Sequence, residues 1–163
     1  MRAEQPEFQP RDAGYVARVR NSFGLQRAMA LIGAELAVVE PGFAEIHLPL
    51  KPEITQQHGF IHGGVVGMIA DSAAGYAANT LTAADTSVLT VEYKLNLIAP
   101  ADGERLVARG EVIKPGRTLI ITKAEVFAIR DERWTLCALM QQTIMAMQGK
   151  AERAAAEAPA ARA

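Results

Sequence analysis

The chain has 163 residues, half of them hydrophobic and 21% charged, with a formal net charge of -1 and a pI near 6.3. That length predicts one domain with room for a sizeable core. That balance argues against nucleic acid or an anionic membrane as a partner, though local basic clusters can still hold a phosphate.

Residues 1–10 lack an apolar core, so no signal peptide is expected, and residues 1–14, with Pro6, Pro10 and Gly14, read as a flexible lead-in. Over residues 15–32 the apolar positions Val16, Val19, Phe23, Met29 and Ile32 recur at helical spacing around Gly24. This predicts an amphipathic helix in two pieces, Ser22 capping the second and Gly33 ending it. Residues 34–40 and 43–50 read as strands about a Pro41-Gly42 turn. Ala44, Ile46, Leu48 and Leu50 of the second strand share one face, with Glu45 and His47 towards solvent. Residues 51–61 form a loop, and a long helix follows.

Four further strands are expected at residues 87–98, 104–114, 118–130 and 134–147, joined by short turns at 115–117 and 131–133, so the sheet should be antiparallel. In the first of these, Val91, Tyr93, Leu95 and Leu97 fall on one face and Thr90, Glu92, Lys94 and Asn96 on the other. The single cysteine, Cys137, cannot make an internal disulfide and lies in an apolar strand, which fits a buried thiol in a reducing, cytoplasmic setting. The Ala-rich tail, residues 148–163, is expected to be disordered. The domain proper is residues 15–147. Its element order predicts an α+β fold, a sheet curled around one long helix, with a second subunit against it.

That helix lies in QQHGFIHGGVVGMIADSAAGYAAN, residues 56–79. It is apolar on all sides except for Asp71 at its middle, which suits a helix wrapped by other structure better than a membrane span. A carboxylate there is costly unless paired or used. His62-Gly63-Gly64 opens the helix. The two glycine amides are expected as free donors strengthened by the helix dipole, and the missing side chains admit a substrate carbonyl: an oxyanion site for acyl transfer. Asp71 can then attack or activate water, with Gln56 and Thr90 holding water or substrate. The same residues also read plainly as a tight turn, a helix cap and a satisfied core aspartate. His62 and Asp71 are nine residues apart, roughly 13 Å along the axis and on opposite faces, so one chain cannot aim both at one atom. Two chains packed symmetrically can.

The segments HGFIHGGVVGMIADSAAG, LTVEYKLNLIAPA and KPGRTL, in that order, resemble the hotdog-fold acyl-CoA thioesterases of the phenylacetate-pathway (PaaI-like) type over residues 23–147. The resemblance implies a hotdog fold, an acyl-CoA substrate, homodimers that pair again into tetramers, and no metal or cofactor besides the CoA of the substrate. It carries the catalytic carboxylate onto Asp71, the oxyanion contact onto Gly63 with His62 beside it, the upstream amide onto Gln56 and the strand hydroxyl onto Thr90. CoA contacts fall on Leu97, Pro100 and Ala101, and on the turn of Lys114, Gly116, Arg117 and Thr118, whose two cations suit phosphates. Val66, Met68, Ile69 and Tyr76 are candidates for an acyl wall. Phe60 and Ile61 before the turn lean the substrate towards apolar acyl groups, medium or long fatty chains or aryl-acyl groups. Two alternatives are a hotdog hydratase or dehydratase pairing His58 with Asp71, and a non-catalytic acyl-CoA binder.

Overall fold

A computed structural model describes residues 7–150; the first residues of the lead-in and the tail beyond 150 lie outside the described residues. The first helical region is two helices, α1 (Tyr15–Leu25) and α2 (Arg27–Ile32), but the break falls at Gln26, whose backbone is extended. Ser22 is not a cap. It lies buried within α1, its hydroxyl 3.1 Å from that of Tyr76, because this face of α1 packs on the long helix and tertiary contact overrides the capping preference. Gly33 ends α2 as expected, at φ 76°, a left-handed conformation that favours glycine.

Strands β1 (Glu35–Glu40) and β2 (Phe43–Pro49) precede the long helix α3 (Gly63–Asn79); β3 (Ser87–Leu97), β4 (Arg105–Lys114), β5 (Leu119–Arg130) and β6 (Arg133–Met147) follow it. All pairings are antiparallel in the order β1-β2-β4-β5-β6-β3, which leaves β1 and β3 as edges. Leu106, Ala108 and Val112 of β4, Ala124 and Val126 of β5, and Ala138, Met140 and Ile144 of β6 are buried in the core with Val66, Ile69, Ala70, Ala73 and Ala74 of α3. The small residues of α3 serve this contact. At Gly110 the two backbones touch: a Cβ there would lie 2.2 Å from the carbonyl carbon of Ala73.

Two faces differ from the expected alternation. Leu50 lies beyond the end of β2 and is 41% exposed, so it leaves the core face of Ala44, Ile46 and Leu48. Glu45 is on the outer face but is buried there, accepting from Arg109 Nε at 2.8 Å and bonded to His47 Nε2 at 2.7 Å. Burial by itself pushes the Glu45 carboxyl up. The bonds from His47 and Arg109, and their charges, outweigh burial and hold it below its ordinary value of 4.5.

The larger difference is in β3. Thr90 pairs with Ile144 and Glu92 with Thr143, so Val91 is an extra residue, a β-bulge. The bulge reverses the side-chain parity. Thr90 bonds to α3, and Leu95 and Leu97, beyond the bulge, also reach α3 at Gly67 and Gly63. Thr90 is thus on the helix side with those leucines and not on the polar face with Lys94 and Asn96. Leu89, Val91, Tyr93 and Leu97 are each more than half exposed along this edge.

Candidate active site

The site is built on α3 and the strands across from it. At the helix start, His62 has the extended backbone of an N-cap, and its Nδ1 accepts the Gly64 N–H at 2.9 Å. The Gly64 amide is therefore occupied and is not the second free donor expected from the glycine pair. Gly63 N–H has no acceptor among the described residues. A Cβ at Gly63 would lie 2.7 Å from a methyl of Leu97, so the helix start and the end of β3 are in contact.

Eight residues further on, Asp71 is half-buried. Its Oδ1 accepts from Thr90 Oγ1 at 2.7 Å and from Gln142 Nε2. Gln142 Nε2 also donates to Thr90 Oγ1 at 3.0 Å, and Thr122 Oγ1 donates to Gln142 Oε1 at 3.1 Å. Gln142 and Thr122 are fully buried. Asp71 Oδ2 has no partner among the described residues. Asp71 and Thr90 are thus brought together, as expected; Gln142 and Thr122 were missed. Their signal is one of parity: each is the polar residue in an inward column of apolar ones, Met140-Gln142-Ile144 on β6 and Ile120-Thr122-Ala124 on β5, and the two are directly paired across the sheet.

The remaining residues lie apart from Asp71. Gln56 is turned into its own loop, its Oε1 accepting the His58 N–H, and neither Gln56 nor the exposed His58 contacts Asp71. Of the proposed acyl-wall residues, Val66, Ile69 and Tyr76 are core, and only Met68 is half-exposed. Ala101 is buried, its carbonyl accepting the Ile61 N–H at 3.2 Å. Pro100 lines a cleft of about 590 Å³ with Phe60, Arg130 and Arg133. Gly116 and Arg117 line another, of about 570 Å³, with Arg11, Phe8 and Asp85. Lys114, Arg117 and Thr118 are exposed, and neither cation is in an ion pair among the described residues.

These two clefts are at opposite ends of the sheet. Leu97 pairs with Ala138, whereas Ser87 pairs with Met147, and the Ala146 N–H bonds to Thr118 O at the β4–β5 turn. Ten strand residues, roughly 33 Å, separate the ends. Within one chain, then, Gly63 is remote from Asp71, and Leu97–Pro100 is remote from Arg117.

The Thioesterase superfamily profile matches residues 58–135, the span that includes the His-Gly-Gly turn, Asp71, Thr90 and Arg117. The chain is 46% identical to a thioesterase family protein from Silicibacter pomeroyi of known structure, with a TM-score of 0.82 over 83% of this chain and 100% of that one. It is 31% identical to the 1,4-dihydroxy-2-naphthoyl-CoA hydrolase of Listeria monocytogenes over 74% of this chain and 94% of that protein. The chain belongs to the thioesterase superfamily. Its α+β hotdog fold is also that of the PaaI protein of the E. coli phenylacetic acid operon, matched at a TM-score of 0.75 and 16% identity over 85% of this chain and 96% of that one. Against the curated superfamily relatives it matches, the chain spans 61% to 94% of their length. No helix among the described residues is long and apolar enough to cross a membrane.

Proposed function

We propose that this protein hydrolyses acyl-CoA thioesters at a site made by two copies of the chain. One observation carries the reading: a half-buried carboxylate with one free oxygen stands in an apolar helix whose own free amide donor is about 12 Å away along the axis. A twofold pairing of β3 edges running antiparallel answers this separation. It sets the Leu97 end of one chain beside the Ser87 end of its partner, and with it the helix start of one beside Asp71 of the other. The same operation brings Leu97–Pro100 of one chain towards Lys114 and Arg117 of its partner, so that one CoA can touch both. The exposed Leu89, Val91 and Tyr93 and the unpaired backbone of β3 support this edge as the contact. Leu139, Met145 and Leu119 on the outer face, also exposed, support a second pairing into a dimer of dimers.

In this site the thioester carbonyl oxygen accepts the Gly63 N–H of one chain, where charge develops. Oδ2 of Asp71 takes a proton from water, and the hydroxide adds to the carbonyl. The C–S bond then breaks and the CoA thiolate recovers the proton, leaving free acid and CoA. Alternatively Oδ2 adds to the carbonyl itself and the C–S bond breaks to expel the CoA thiolate. Water then opens the resulting anhydride, giving the free acid and the regenerated carboxylate, and its remaining proton goes to the thiolate. Both routes need the same free oxygen. Gln56 and His62 flank the acyl end, and Lys114, Gly116, Arg117 and Thr118 receive the nucleotide phosphates. An aromatic acyl-CoA is named for the Listeria relative, and Met68 with Phe60 supports an apolar acyl group here, fatty or aryl. The single buried cysteine supports a cytoplasmic setting.

A thiol-release screen over acyl-CoAs of varied chain length and aromaticity tests this. The expected result is CoA and free acid in equal amounts from at least one apolar acyl-CoA. No release from any, or a change in enoyl absorbance without thiol, overturns it.

A further inference from the structure

We infer that Gln142, held by Thr122, is a positioning residue that fixes which oxygen of Asp71 reacts; this rests on the thioesterase reading above. An ionised aspartate only accepts hydrogen bonds. Thr90 has a single hydroxyl proton, and the 2.7 Å bond commits it to Oδ1. The Thr90 oxygen is then free to accept from Gln142 Nε2, at 3.0 Å, and the second N–H of that amide goes to the same Oδ1. Both donors therefore converge on one oxygen and leave the other bare.

The amide itself cannot turn over without loss. Its Oε1 takes the Thr122 hydroxyl at 3.1 Å, and a reversed amide would set its oxygen against the carboxylate. Both residues are buried, so water offers no substitute for a broken bond. Thr122, Gln142 and Thr90 thus form a chain of donors running from β5, a central strand of the sheet, to the Asp71 carboxylate. The consequence is directional. Oδ2 can take up a proton and give it back while Oδ1 stays anchored, so the carboxyl need not rotate between the two halves of the reaction. No part of this needs Gln142 to touch the substrate.

The test is a set of near-isosteric variants assayed as the intact oligomer on the best acyl-CoA from the screen. Gln142→Met should lower kcat about ten- to a hundredfold with KM within about twofold, as expected when a reacting group is misplaced and binding is not. Thr122→Val should show a smaller fall of the same kind, and Thr122→Ser, which keeps the hydroxyl, should restore most of it. In an Asp71→Asn background Gln142→Met should have no further effect, because it acts through that carboxylate. The same fold-loss in both backgrounds, or wild-type kcat in Gln142→Met and Thr122→Val, overturns the inference. If Gln142→Met does not fold, the Thr122→Val and Thr122→Ser pair decides by the same kcat readout. A wild-type protein inactive on every acyl-CoA would instead strike the parent reading.

Discussion

Placing a carboxylate in an apolar helix costs several kcal/mol unless donors surround it, and Asp71 has donors on one oxygen only. That half-satisfied state separates it from Asn79 and Thr80, polar residues at the C-terminal end of the same helix that are fully buried. Asp71→Asn keeps the shape and removes the base, so kcat on acyl-CoA should fall by about a thousandfold, with the melting temperature held within a few degrees. An unchanged kcat would remove Asp71 from the chemistry. Residue types and spacing marked Asp71, Gly63 and Thr90 as candidates, though they put Thr90 on the wrong face of its strand. They were not enough for Gln142, because a glutamine in a strand is ordinarily solvent-facing, and only the inward parity of β6 buries it. They did offer His62 as a helix cap, but they did not show that this cap takes the Gly64 amide out of the expected donor pair, since that depends on a rotamer that spacing does not fix.

The backbones of α3 and β4 touch at Gly110, and that contact depends on the absence of one side chain. Gly110→Ala would set a methyl 2.2 to 2.4 Å from backbone atoms of Ala73 and Ala74, which cannot move aside as a flexible side chain would. A loss of about 3 kcal/mol or more is expected in urea unfolding; a neutral result would mean that the helix is not seated on the sheet in this way. Glu45, between β2 and β4, gives a pH test. Its folded pKa is depressed below 4.5, so its stabilising bonds are present above that value and are lost as pH falls through the lower folded value. Glu45→Gln should therefore unfold about 1 kcal/mol more easily at neutral pH, a modest figure because Arg109 is partly exposed, and the gap should close at acid pH. A gap independent of pH would contradict the assignment. The elements themselves were legible from hydrophobic period and turn residues. The bulge at Val91 was not, because unbroken alternation on paper hides one extra residue, and that residue decides which way Thr90 points.

For the whole molecule, the separation of paired parts is the governing fact: Gly63 from Asp71, and Leu97–Pro100 from Arg117. The sequence indicated the first separation through helix pitch. The second needed strand register, which no local pattern encodes. If Arg117 meets the CoA phosphates bound on the partner's side, Arg117→Glu should raise KM severalfold for CoA esters and leave KM for short thioesters lacking the nucleotide unchanged, a split read from steady-state kinetics. Equal effects on both would take Arg117 out of the CoA site.

The shared site is tested most directly by mixing two disabled chains. Asp71→Asn lacks the carboxylate. Gly63→Pro removes the proposed oxyanion donor with little backbone change, since proline is tolerated at the first helical position and His62 already has the extended backbone that precedes one, though its ring also requires the methyl end of Leu97 to turn aside. Each variant alone should be nearly inactive. After dissociation and random re-association of equal amounts, half the dimers are mixed, and each holds one site with an intact Asp71 facing an intact Gly63 amide. The account predicts recovery of about a quarter of wild-type kcat per chain, as twofold symmetry requires. A mixture no more active than its components would contradict it, since a site contained in one chain cannot be repaired by its neighbour.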